Sequence, residues 1–161
     1  MPNFTHLHVH SSYSILDGMS SISGLVDKSI ASGMQAIALT DHGAMFGIKE
    51  FFDYVAKKNE PILLEIKNIE AEIATLAEDE NQRHLLIELE NQLIEKRKRF
   101  FKPILGCEVY VTRKTASNPT GSRFIKEFRE NISGDHLIVL AKNKTGYQNL
   151  CKLVSLAWIE G

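Results

Sequence analysis

The sequence has 161 residues, 43% of them hydrophobic and 24% charged, with a formal net charge of −1. That length suits roughly one ordinary domain with a sizeable core, and the near-neutral balance excludes a general affinity for nucleic acid or anionic membrane. Two cysteines, Cys107 and Cys151, are too few and too far apart for a disulfide framework or a CxxC zinc module. No signal peptide is visible and no apolar run approaches the ~20 residues of a membrane span, so the expected setting is the reducing cytoplasm.

The first element is a predicted strand, Phe4 to His10. His6, His8 and His10 fall at i, i+2 and i+4, which puts their imidazoles on one face of a strand and Leu7 and Val9 on the other. Ser11 to Ser20 reads as a loop, with Leu16-Asp17-Gly18 as a turn. Ser20 or Ser21 caps a helix whose Ile22, Leu25, Val26, Ser29 and Ile30 form one stripe. Gly33 stands where that helix should end. Ala36 to Thr40 is a short, almost wholly apolar run suited to a strand buried on both faces, and it ends in Asp41-His42-Gly43. A helix over about 45–58 follows. Strand, helix, strand, helix at this spacing predicts an α/β architecture.

Residues 60–100 change the rhythm. Ile62, Ile66, Ile69, Ile73 and Leu76 are spaced 4, 3, 4, 3, and Leu86, Leu89 and Leu93 continue in a second charged run. Two antiparallel helices are predicted, forming a hairpin with a coiled-coil seam. Lys96 to Arg99 is a basic cluster that the favourable interaction of cations with a helix C-terminus accounts for without nucleic acid. Pro103 to Val111 returns to strand, with Gly106, Glu108 and Tyr110 on one face. Residues 113–134 read as a long mobile loop. His136 to Ala141 is a further strand, and a last helix starts at Asn143 or Thr145.

The chemistry-bearing residues share a placement. His8, His10, Asp17, His42, Glu108 and His136 lie on strands or in the loops after them, and in barrels and parallel sheets ligands gather at the carboxyl ends of strands. Glu108 is an acid in an otherwise apolar strand, costly to bury unless paired or metal-bound. Neutral imidazoles with carboxylates suit Zn, Mn or Fe better than Ca or Mg. Asp17 also has the simpler reading of an Asx turn before Gly18, and His84, on the hairpin, reads as structural. No GxSxG elbow, P-loop or GxGxxG is present.

Taken together, His6 to Gly18, Thr40-Asp41-His42-Gly43 and Pro103 to Val111 resemble the first motifs of the PHP (polymerase and histidinol phosphatase) domain. His136 to Asn143 followed by Thr145 to Leu150 narrows the resemblance to the N-terminal PHP domains of bacterial DNA polymerase III alpha subunits. The resemblance implies a distorted TIM-like (β/α)7 barrel, present here in part, with residues 60–100 as an inserted antiparallel helical hairpin. It implies up to three divalent metal ions, with His8, His10, Asp17, His42, Glu108 and His136 as ligands and Glu108 bridging. His6 and Asp41 are expected to support those ligands. The implied chemistry is phosphoester hydrolysis of the 3′–5′ exonuclease type. DNA synthesis and its Mg ions would belong to absent domains of a full-length polymerase, which would reach DNA and other replisome subunits. Alternatives are a non-catalytic platform for the polymerase and a proofreading subunit, and a stand-alone phosphoesterase of the histidinol phosphatase kind. The later ligands of the family, including an Asp-x-His pair, have no counterpart before Gly161. Residues 1–161 are therefore expected to be the N-terminal part of the domain and inactive in isolation.

Overall fold

The computed structural model describes residues 4–76, 82–111 and 135–160. In chain order the elements are α1 (Ile22–Ala31), β1 (Ala36–Leu39), α2 (Ile48–Leu76), α3 (Arg83–Lys98), β2 (Lys102–Val111), β3 (Asp135–Leu140) and α4 (Lys144–Glu160). The three strands form one sheet in the order β1-β2-β3. β1 runs parallel to β2, with Ala36 opposite Lys102 and Leu39 opposite Leu105. β2 and β3 are antiparallel, with Gly106 opposite Leu140 and Tyr110 opposite His136. The long loop expected at 113–134 lies outside the described residues.

The α/β reading holds, and its local causes are visible. Ser21 Oγ accepts the Gly24 N–H at 3.1 Å and starts α1. Gly33 follows the helix end with φ +76°, in the left-handed region that glycine enters without strain. Asn143 starts α4, its side-chain oxygen accepting the Gly146 N–H at 2.9 Å. All four residues of β1 are buried. Ile37 and Leu39 meet Ile22, Val26, Ile48, Phe51, Val55 and Phe101, so α1 and α2 close over one face of the sheet. A second cluster joins Cys107 and Val109 of β2 to Leu150 of α4.

Two elements differ from expectation. Phe4 to His10 is extended but is not a regular strand. The carbonyls of His6 and Val9 accept from Ala38 N and Thr40 N, both at 2.9 Å. Acceptors three residues apart facing donors two apart require a slip, and the chain bends at Leu7. Thr40 Oγ1 then takes the Val9 N–H at 2.9 Å, replacing a ladder bond. The helices expected over 45–58 and from residue 60 are one helix of 29 residues. Pro61, which stands where the two were expected to separate, is accommodated inside it with its ring exposed; the cost is one lost backbone bond. Asn59, one turn from the helix's entry to the hairpin region, is 2% exposed. Its amide donates to Phe101 O at 2.7 Å and accepts from Phe101 N at 3.0 Å, fixing α2 to the start of β2.

Beyond Asn59, α2 packs beside α3. Ile66, Ile69 and Leu89 are buried along the predicted seam. The basic cluster is met by acids: Lys96 and Arg99 approach Glu65, Arg97 approaches Glu70, and Lys98 approaches Glu95. These are surface pairs of small individual worth, yet they occupy the cations that a phosphate would need.

Candidate metal centre

Glu108 organises the site. It lies on β2 beyond the end of β1, where the chain of Asp41 to Gly43 still runs alongside. Glu108 N donates to Asp41 O at 3.1 Å, and Gly43 N donates to Glu108 O at 2.8 Å. This isolated parallel bridge sets His42 beside Glu108. The antiparallel register of β3 then brings His136 to the same place from the other side, opposite Tyr110 and two pairs removed from Glu108.

The Glu108 side chain is 2% exposed, and its two oxygens face different partners. Oε2 lies 2.5 Å from His8 Nε2 and 2.8 Å from His10 Nε2, and those two nitrogens are 3.1 Å apart. Oε1 lies 2.5 Å from His136 Nδ1 and 3.3 Å from His42 Nδ1. Asp17 Oδ2 stands 3.1 Å from His42 Nδ1 on the solvent side. The result is two potential chelating groups, His8–His10–Glu108 and His42–Glu108–His136, sharing one carboxylate. His8 and His136 are about half exposed while Glu108 is buried, so the site opens outward from its carboxylate floor.

The residues fit divalent cations on the chemistry of the donor set. Oε1 is buried and has no hydrogen-bond partner among the described residues. His136 Nδ1 is close enough to count as a charge partner, yet neither neighbouring imidazole aims a ring N–H at this oxygen. A buried carboxylate oxygen without a donor is costly, and a cation held between it and the nitrogens would satisfy all three. Burial pushes the Glu108 carboxyl up, but hydrogen bonds from His10 and His8 and the nearby His10 and His136 charges outweigh it. The group rests below its ordinary range, ionised and ready to ligate.

The six residues expected as ligands are thus brought together, but His6 is not among them. Its ring packs edge-on against Phe4, with centroids 4.7 Å apart. The bend at Leu7 breaks the alternation that would have aligned it with His8 and His10. Asp41 takes a different part from any ligand. It is 1% exposed, and its carboxylate accepts from Ser11 N at 2.6 Å, from Ser11 Oγ at 2.9 and 3.0 Å, and from Ser14 Oγ at 2.7 Å.

The PHP domain family matches residues 6–161. The chain belongs to the PHP domain family. It is 33% identical over 160 residues to DNA polymerase III subunit alpha of Borreliella burgdorferi, an alignment covering 98% of this chain and 10% of that protein. The same subunit of Treponema pallidum is 34% identical over 163 residues, covering 99% and 10%. That of Aquifex aeolicus is 33% identical over 165 residues, again 99% and 10%. The chain therefore spans about a tenth of the length of the curated relatives it matches.

Sequence reasoning missed several residues of this candidate site. Ser11 and Ser14 are buried and tie the first motif to Asp41, and Ser14 Oγ also accepts the His42 N–H at 3.0 Å. Gly18 closes the same loop: a Cβ there would fall 2.1 Å from Ser11 O, a backbone atom that cannot step aside cheaply. Leu16, with φ +79°, makes the turn that brings Asp17 back toward His42. Tyr110 hydrogen-bonds His42 Nε2. Its place two residues after Glu108 on the same strand face was the available signal. Trp158 Nε1 donates to Gly43 O at 2.8 Å, bringing the end of α4 against the loop that carries His42. Nothing local in the sequence signals that contact.

Proposed function

We propose that residues 1–161 are the N-terminal part of the PHP domain of a DNA polymerase III alpha subunit, and that this part supplies most of a metal-dependent phosphoesterase site. The observation that carries the reading is the shared Glu108 carboxylate, buried between two imidazole pairs. His8, His10 and Glu108 Oε2 would hold one divalent ion, and His42, His136 and Glu108 Oε1 a second, with Asp17 beside His42. The mixed nitrogen and oxygen donors favour Zn, Mn or Fe. Such ions, when bound, polarise a phosphate ester and lower the pKa of a coordinated water.

The protein's own residues do the rest. Glu108 fixes the spacing between the two groups by giving one oxygen to each. Asp41, through Ser11 and Ser14, holds the loops bearing His10, Asp17 and His42 in one arrangement. Half-exposed His8 and His136 leave the rim open for a phosphate group to enter. The substrate class is a phosphodiester, and the reaction is release of 3′ nucleotides by the full-length polymerase. DNA synthesis itself, the remainder of a TIM-like barrel and contacts with other replisome subunits belong to regions outside these residues. Residues 60–100, the later part of α2 with α3, are an insertion into that barrel.

The test takes the full-length protein, strips metal with chelator, and measures 3′ nucleotide release with Mn or Zn restored. The expected result is metal-dependent release that His8→Ala and His10→Ala abolish. Release that survives both substitutions would remove the catalytic assignment. A metal-free, inactive but assembly-competent protein would favour the platform reading instead.

A further inference from the structure

Tyr110 stands two residues beyond Glu108 on β2, so strand alternation aims its phenol and the carboxylate to the same side. The hydroxyl hydrogen-bonds His42 Nε2, while His42 Nδ1 faces Glu108 Oε1 at 3.3 Å and Asp17 Oδ2 at 3.1 Å. The Tyr110 ring lies edge-on to His136 with centroids 4.5 Å apart, and to His42 at 4.9 Å. It therefore touches both imidazoles of one chelating group, whereas His8 and His10 are gathered on Glu108 Oε2.

A neutral imidazole offers a lone pair from one nitrogen while the other carries the proton. The partner of the protonated nitrogen decides which is which. A phenol oxygen accepts a hydrogen bond as readily as its O–H donates one. With Nε2–H donating to Tyr110 Oη, Nδ1 keeps its lone pair and points it between Asp17 and Glu108. Without the hydroxyl, nothing holds the proton on Nε2, and the share of His42 whose Nδ1 keeps its ligating lone pair falls.

We propose that Tyr110 is the positioning residue of the His42–Glu108–His136 group, holding His42 in the orientation and tautomer that present Nδ1 to a divalent cation. Tyr110 sets the affinity of that group and leaves the His8–His10–Glu108 group unchanged. The inference rests on the reading of the two groups as cation sites.

Tyr110→Phe keeps the ring contacts and deletes only the hydroxyl. Chelator-stripped full chain is titrated with zinc against a competing chromophoric chelator, comparing wild type, His8→Ala, His42→Ala and Tyr110→Phe. The ion lost in His8→Ala marks the first group and the ion lost in His42→Ala the second. Tyr110→Phe is expected to weaken only the second ion, by about 10–100-fold, the usual effect of removing an outer partner. Its melting temperature should stay at the wild-type value. A Tyr110→Phe titration superimposed on wild type would overturn the proposal. So would parallel weakening of both ions with a lowered melting temperature, which is the mark of a packing role. If His42→Ala itself loses no zinc, the cation reading of that group fails first and the inference falls with it.

Discussion

Replacing Asp41 with alanine should be the most damaging single change outside the chelating groups. Its carboxylate is 1% exposed and receives the Ser11 N–H and the Ser11 and Ser14 hydroxyls. Each buried donor left without an acceptor costs about 1–3 kcal/mol. The Ser11 amide cannot turn elsewhere, although the hydroxyls have some freedom. Relief from burying a carboxylate offsets part of the loss, so the net for Asp41→Ala is roughly 3–5 kcal/mol. With a urea slope of about 2 kcal/mol/M, typical of a small domain, the midpoint should fall by roughly 2 M. Asp41→Asn keeps one acceptor oxygen and should lose about 1–2 kcal/mol. Urea unfolding followed by circular dichroism measures both. An Asp41→Ala chain within about 1 kcal/mol of wild type would refute the assignment of these bonds to loop fixation.

Other outcomes follow from the same structure. Asn59→Ala leaves both the Phe101 N–H and C=O unpaired where α2 meets β2, and should cost about 2–3 kcal/mol in the same assay. Gly18→Ala forces a Cβ to within 2.1 Å of Ser11 O and should destabilise by about 1–3 kcal/mol, as overpacking does. Burial pushes the Cys107 thiol up to about 12, so the thiol stays neutral in the fold while the unfolded chain ionises near 9.0. Its contribution is therefore complete below pH 9 and is lost as the pH climbs toward 12. Cys107→Ala should remove that part of the alkaline loss. In the native chain at pH 8 a thiol reagent should leave Cys107 unmodified; rapid reaction at Cys107 would contradict its burial.

What was legible in the sequence divides along physical lines. Periodicity located α1 and the α2–α3 seam because Ile66, Ile69 and Leu89 must be buried wherever the helices lie. Continuous apolarity marked β1 because it is covered on both faces. Chemical improbability marked Glu108: an acid in an apolar strand needs partners, and His8, His10, His42 and His136 surround it. What was not legible depends on register and on contacts distant along the chain. The slip at Leu7 that separates His6 from His8 comes from pairing with β1, not from residue types. The continuity of α2 through Pro61 depends on exposure of that ring. Ser11 and Ser14 look like ordinary loop serines until Asp41 is placed beneath them, 27 to 30 residues later.

The central claim is that Glu108 gives one oxygen to each of two cation sites. Metal content after dialysis against limiting free zinc, measured on the full-length protein, tests it most directly. His8→Ala should lose one ion, His42→Ala a different one, and Glu108→Gln both at once, with the losses of the two histidine variants adding in the double variant. A Glu108→Gln protein that retains the wild-type complement of metal, or loses only one ion, would contradict the shared-carboxylate account.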